Sequence, residues 1–437
     1  MHPITHKLIR VTIIILFVTN SIVDLQGQIL EKKYEWKFDL NPAASITIDN
    51  KHCDFEVLTT KEKVAKLQVE VSVSGESESE LKIFDKALSN YRFNQSKDRI
   101  QIQTPLWESI VVHKFLFFGE THYTRLKNGE KLTVKVLSSR VTLFLPENSN
   151  LTINSKHSTL NLPDLKLLDI VSYNDVVYVG NVKDKLIATA KYSKLNFDTI
   201  PNSQITMLDS RLRCNKGGDL LINSRNSHIN IPIGGNIIVA SSSYDDFRFG
   251  NIENLKIDAR FGTIKGKECK ILDVGDFYNV EFSFQNATKT EINNCEYSDL
   301  EIRRTGDVDV VSSRQSKYEL DTIGNLNVKR TYNDNFRLKR AGDFDLGTSE
   351  FSTFEANKGV HLRIDESRVS RYLIDQTFDV TVNSSYNDVF DHDKTKNITV
   401  GNSKFSEFTS KSADCLKVTS SSNDIFRCDT LLSAEIL

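Results

Sequence analysis

Leu300-Glu301-Ile302, Gly306-Asp307, Val308-Asp309-Val310 and Ser312-Ser313 are answered eighteen residues on by Tyr318-Glu319-Leu320, Gly324-Asn325 and Leu326-Asn327-Val328. Phe336-Arg337-Leu338, Gly342-Asp343 and Phe344-Asp345-Leu346 follow at the same interval. Each period holds two apolar-polar-apolar triplets, a turn that often contains Gly, and a corner rich in Ser and Asn. Alternation over three to five residues is the strand period of two, which sends one face inward and the other out. The period leaves no room for a helix.

Working outward, the same corner quartet recurs as Tyr173-Asn174-Asp175-Val176, Tyr192-Ser193-Lys194-Leu195, Tyr244-Asp245-Asp246-Phe247, Tyr297-Ser298-Asp299-Leu300, Tyr386-Asn387-Asp388-Val389, Phe405-Ser406-Glu407-Phe408 and Ser422-Asn423-Asp424-Ile425. Its fourth residue serves as a ruler, running Leu160, Val176, Leu195, Leu212, Ile229, Phe247, Ile264, Val280, Leu300, Tyr318, Phe336, Phe354, Tyr372, Val389, Phe408 and Ile425. Self-similarity at a fixed short period is the signature of a solenoid. A meander needs no fixed strand length, and propeller blades run to about 40 residues with four strands. Doubling this period finds no such blade. Like residues returning every second strand stack into ladders when the coils are parallel, which favours aromatics and amides. The expected fold is therefore all-β, a single-stranded parallel β-helix of about 18-residue coils with an N-terminal strand-and-helix cap. Asn, Asp and Gly at the corners are expected to supply the positive φ that sharp bends require.

The chain divides into three parts. Residues 1–27 place His6, Lys7 and Arg10 before the apolar run from Val11 to Val18, which is too short to span a bilayer and reads as a secretory signal. Residues 28–150 form the cap and the first β-helix elements. They include strands at 34–40, 46–48 and 67–73, and one helix at about 78–90 opened by the capping box Ser77-Glu78-Ser79-Glu80, which lids the stack. The apolar stretch 107–118 reads as a hairpin on that cap, with an exposed docking loop as the alternative. Residues 151–437 are the solenoid repeats. The final segment, Leu431-Leu432-Ser433-Ala434-Glu435-Ile436-Leu437, carries no guard and leaves end-to-end association with another copy open.

A net charge of −2, from 56 basic and 58 acidic residues without a long run of one sign, disfavours a nucleic-acid partner. Arg303-Arg304 and Lys339-Arg340 read as solvated strand faces. The six cysteines, Cys53, Cys214, Cys269, Cys295, Cys415 and Cys428, sit at different phases of the repeat, so they are expected as mostly buried free thiols. A Cys415 to Cys428 bridge is the alternative. No His-Glu-x-x-His, Cys-x-x-Cys, Walker loop or Gly-x-Ser-x-Gly occurs. His157 and His228 read as corner residues, and outward carboxylates such as Glu301 and Glu319 are too abundant for any pair to stand out as catalytic. The reading names no catalytic, cofactor-binding or metal-binding residue and no cofactor.

Ile46-Thr47-Ile48-Asp49-Asn50-Lys51-His52 leading to Phe55-Glu56-Val57, the long strand and capped helix up to Asn90, and the repeats beyond them resemble the adhesin family of bacterial envelope proteins, the uncharacterised β-helix adhesin-head domains. The resemblance covers most of the chain after the signal and implies a right-handed parallel β-helix with a surface or periplasmic role and no catalytic residues. The long repetitive C-terminal half and the insertion at 107–118 depart from a typical member. The expected function is an exported, non-catalytic solenoid that presents surface to a glycan or an envelope protein. The alternatives are a polysaccharide lyase or hydrolase on the same scaffold and an envelope-sensing partner of a signalling system.

Overall fold

The computed structural model describes residues 28–40, 44–62, 64–91, 93–104, 107–115, 119–147 and 149–436; the secretory signal read at 1–27 lies outside them. Two compact units divide the chain, one of residues up to 149 with 157–160, the other of 150–156 with 161 onward. Among the described residues no helix is long and apolar enough to cross a membrane.

In the first unit, alternating apolar residues commit Gln28–Asp39 and Val64–Gly75 to strands that pair antiparallel in continuous register. Val134–Pro146 adds to Val64–Gly75 antiparallel and to Asp54–Thr60 parallel, while Ser45–Lys51 pairs parallel with Arg99–Gln103. The helix spans Glu78–Ser89, with Leu81, Phe84 and Leu88 buried on one face at helical spacing. Ser77 caps it by accepting from the Glu80 N–H, but the capping box is not reciprocal. The Glu80 carboxylate instead accepts from the Thr133 N–H at 2.9 Å, tying the helix start to a distant strand. Tyr34 donates to Asp85 at 2.5 Å, and Lys32 pairs with the same carboxylate at 3.4 Å. Of the stretch at 107–118, read as a hairpin, Trp107–Phe115 is one strand whose antiparallel partner, Gly119–Leu126, lies beyond the stretch; residues 116–118 lie outside the described residues.

The second unit is a parallel β-solenoid. Strand Lys317–Thr322 pairs in parallel with Asn335–Arg340, and that strand with Thr353–Lys358, each offset by eighteen residues. The other strand of each coil does the same, Leu326–Tyr332 pairing with Phe344–Glu350 and that with His361–Arg368. The meander is excluded, because the strand pairings described in this unit are parallel, including those between consecutive strands. Tyr318, Phe336, Phe354 and Tyr372 lie one above another with centroids 4.3, 4.7 and 5.3 Å apart and planes within 7°. The stack continues through Phe390, Phe408 and Phe426. Buried rings in this arrangement add about 0.5–1.5 kcal/mol per pair beyond the area they bury.

Four marks of the sequence ruler were displaced. The inward residues in register are Val177, Phe282, Phe390 and Phe426, in place of Val176, Val280, Val389 and Ile425. With them the interval is eighteen at every step from Ile264 to Phe426. The displacement has a physical source. At Val176 and Val389, matching tyrosine to tyrosine aligns two different corner positions, because the corner is two residues wide and tyrosine occupies either one.

Corner chemistry also differs from expectation. One residue per coil adopts positive φ, at Asn174, Tyr192, Asp209, Asn226, Tyr244, Phe261, Asn279, Tyr297, Gln315, Asn333, Phe351, Val369, Asn387, Phe405 and Asn423. Asp is among them once, and of the described glycines only Gly129 has positive φ. The turn glycines serve close approach instead. A Cβ on Gly342 would stand 2.7 Å from Asn325 Oδ1 and 2.9 Å from the Gly324 carbonyl oxygen.

The left-handed residue turns the next N–H away from the inter-coil ladder and into the interior, where only a side chain can meet it. The following position is accordingly Ser or Asp in most coils. Ser298 N–H is met by Ser316 Oγ at 3.2 Å, Ser316 N–H by Asp334 Oδ1 at 2.7 Å, and Asp334 N–H by Ser352 Oγ at 3.2 Å. Ser352, Ser370 and Asp388 continue the chain to Ser406 and Asp424. Aspartates that the sequence suggests as bend formers are therefore buried acceptors. Burial raises the Asp388 carboxyl to about 6, against the lowering effect of the Ser370 N–H.

Candidate functional site: the exposed corner

Outside the Ser/Asp ladder, the left-handed residue and the one before it project from the corner. Tyrosine and phenylalanine fill much of this strip, and their rings are partly exposed: Tyr278 by 40%, Tyr297 by 42%, Tyr332 by 41%, Phe351 by 44%, Tyr386 by 43% and Phe405 by 46%. These six residues belong to a superperiod of three coils. Arg260, Tyr278 and Tyr297 recur as Arg314, Tyr332 and Phe351 and again as Arg368, Tyr386 and Phe405, each member 54 residues after its predecessor. Since neighbouring strands lie about 4.8 Å apart, the triads repeat about every 14 Å along the stack.

Within each triad the two rings meet edge to face, with centroids 5.4, 5.5 and 5.9 Å apart. Arg314 lies over Tyr332 at 5.6 Å, and Arg368 over Tyr386 at 5.8 Å. Lys191 over Tyr192 and Lys404 over Phe405, both at 5.2 Å, repeat the arrangement outside the strict period. Such cation–π contacts hold a long side chain against a ring and fix both as one surface. In the two strip positions of each coil from Lys191 onward, the cations Lys191, Arg225, Arg260, Arg314, Arg368 and Lys404 outnumber Asp209, Glu296 and Glu350, in a chain of net charge −2. The corner is a cationic line on a slightly acidic protein.

The backbone adds a second observation. Tyr297, Phe351 and Phe405 take φ of 53°, 52° and 56°, where Asn279, Asn333 and Asn387 serve other coils of the same superperiod. A bulky residue is costly in the left-handed region, whereas Asn is tolerated there. Each of these rings stays 42–46% exposed at the corner, outside the buried core, so core packing alone does not explain its position.

Residues singled out in the sequence fall elsewhere. His157 is a corner residue with φ of 57°, and its ring stacks on His52 at 4.9 Å. His228 is not a corner residue. It opens an outward strand and stands 3.4 Å from Asp246, because Asn226 takes the bend. Glu301 and Glu319 are register partners on an open face, each beside its own cation, Arg303 at 3.9 Å and Lys317 at 2.5 Å. Arg303-Arg304 and Lys339-Arg340 are exposed strand ends, with Lys339 paired to Asp321 at 2.7 Å. All six cysteines are free. Cys415 lies in register with Asn397 and Ser433, and Cys428 with Ser410, which rules out the bridge between them. Burial pushes the Cys53, Cys269 and Cys295 thiols up to about 11 and Cys214 to about 12, so none of these four is a ready nucleophile.

In the first unit an open groove of about 740 Å³ gathers His52, His157, Asp54, Glu70, Lys33 and Arg140. Lys33 and Glu70 pair there at 2.8 Å. No group of three or more His, Cys, Asp or Glu among the described residues gathers to hold a metal ion. Set against protein-family models, curated proteins and solved structures, the chain matches none.

Proposed function

We propose that the protein is an exported, non-catalytic β-solenoid that works by presenting a long repeating surface for adhesion or envelope contacts. The observation that carries this reading is the threefold recurrence of one exposed Arg–Tyr–aromatic unit at a fixed spacing. A catalytic centre requires one constellation with converging groups; equal units in line are what multivalent attachment uses, each contact weak and their sum strong. The resemblance to envelope adhesin heads and the signal-like segment at 1–27 favour the same reading and an extracytoplasmic location. The purified chain, incubated with a panel of bacterial and plant polysaccharides, is expected to retain ligands without releasing shorter products. Turnover of any polysaccharide would overturn it.

A glycan-cleaving reading has its best seat in the groove around His52 and His157, where imidazoles and carboxylates adjoin. Neighbouring groups there are already matched, Glu70 by Lys33 and each imidazole by the other ring. The groove therefore ranks second to the corner.

A further inference from the structure

The regularity of the corner identifies the chemistry of its occupant. We infer that the corner binds a linear acidic polysaccharide lying along the stack axis, with one acidic group of the polymer set against each triad arginine. The inference rests on the surface-binding reading above and narrows it to one edge and one ligand class.

The corner is a ridge with exposed rings, so it offers no enclosure for a small molecule and suits a chain that lies along it. An exposed aromatic ring presents a flat, weakly hydrated face, which the axial C–H groups of a pyranose ring match in size and polarity. A pyranose unit is close in length to the strand spacing, so successive sugars can keep step with successive coils. The positive-φ aromatics Tyr297, Phe351 and Phe405 hold rings that stay 42–46% exposed in a costly backbone conformation, which points to a use on the outside.

Charge selects the acidic class. Arg260, Arg314 and Arg368 recur once per three coils, about 14 Å apart. A polysaccharide with one carboxylate or sulfate in every few sugars matches this sparse line. A single-stranded nucleic acid carries a phosphate on every nucleotide, and much of that charge would go unmatched or meet Glu296 and Glu350.

The test uses the full chain after signal removal on immobilised hyaluronan and gellan, linear polysaccharides whose carboxylates recur once in every few sugars, with dextran and cellulose as neutral comparators and poly(dT) as the nucleic-acid comparator. At least one acidic polysaccharide is expected to bind in a salt-sensitive manner, with the neutral polymers and poly(dT) far weaker. Replacing one unit (Arg314→Gln with Tyr332→Ser) is expected to weaken binding by about tenfold, and replacing all three units by more than about a hundredfold. These side chains point outward, so circular dichroism and the melting temperature are expected to stay near wild type and separate lost contacts from lost fold. Equal binding of neutral and acidic polymers, or preference for poly(dT), would overturn the ligand class. Unchanged acidic-polymer binding in the triple-unit variant would overturn the corner while leaving a surface-binding function elsewhere on the stack. Absence of binding to every acidic polymer would overturn the inference, whereas release of shorter products would overturn the non-catalytic reading itself.

Discussion

Replacing Phe354 with Ala removes one ring from the middle of the internal column. Phe354 is 1% exposed, with Phe336 at 4.7 Å on one side and Tyr372 at 5.3 Å on the other. Truncating a buried Phe costs about 3–5 kcal/mol, and two ring pairs are lost with it, so a destabilisation of about 4 kcal/mol is expected. Phe354→Leu keeps most of the volume and should cost about 1–2 kcal/mol. In a solenoid each coil contacts only its neighbours, so the loss should be local. The assay is native-state hydrogen exchange alongside urea unfolding. Amides of Lys317–Thr322, Asn335–Arg340 and Arg371–Gln376 are expected to lose up to about three decades of protection, since each decade is about 1.4 kcal/mol. Those of Lys194–Ile200, many coils away, should be unchanged. A cost under about 1 kcal/mol, or an equal loss of protection in both regions, would refute the stacked-column reasoning.

Other consequences follow from the corner and the core. Ser352→Ala deprives the buried Asp334 N–H of its acceptor, and urea unfolding should show a loss of about 1–3 kcal/mol, with little change expected for an outward Ser such as Ser384. Val369 is β-branched at φ of 55°; Val369→Asn should raise stability by about 1 kcal/mol, and a loss would show that the valine has a packing role. His392 is buried, and burial lowers it from 6.5 to about 4 against the raising effect of the Ile374 backbone. The unfolded chain therefore takes up a proton first as pH falls, and stability drops between about 6.5 and 4 by about 3 kcal/mol, a drop His392→Leu should remove. Asp388 acts in the opposite sense. Its folded value of about 6 lies above the ordinary 3.8, so the folded state holds the extra proton and stability is lost as pH rises through that window, by about 3 kcal/mol. Comparing pH profiles of His392→Leu and Asp388→Asn separates the two contributions, and coincident profiles would refute both assignments.

Much of the fold is legible in the chain because eighteen-residue spacing carries through Leu300, Tyr318, Phe336, Phe354 and Tyr372 without a break. Helix Glu78–Ser89 is legible for the same kind of reason, a cap followed by apolar residues on one face. The corner is harder to read. Its positive-φ residue is Asn in one coil, Tyr in the next and Val in another, since geometry constrains the backbone there while the side chain faces solvent. Tyr173 and Tyr192 look equivalent in sequence yet occupy adjacent corner positions, and only the register separates them. The triads leave a signal in the equal spacing of Arg260, Arg314 and Arg368, but it appears at three times the coil period, and a search at twice the period passes over it. His392 shows no trace, because an alternating Phe390-Asp391-His392 segment gives no sign of which neighbours a buried imidazole has.

From Ile264 to Phe426 each inward residue stacks on the one eighteen positions later, and paired cysteines test this most directly. In a chain with Cys415 and Cys428 replaced by Ser, Arg337→Cys with Glu355→Cys places two thiols on register partners. Adjacent strands lie about 4.8 Å apart, within the span a disulfide bridges. Mild oxidation should close this pair intramolecularly and in high yield. Lys339→Cys with Asp345→Cys, which a hairpin between consecutive strands would bring together, should stay reduced. Closure of the second pair with the first left open would contradict the parallel stack and everything built on its corner.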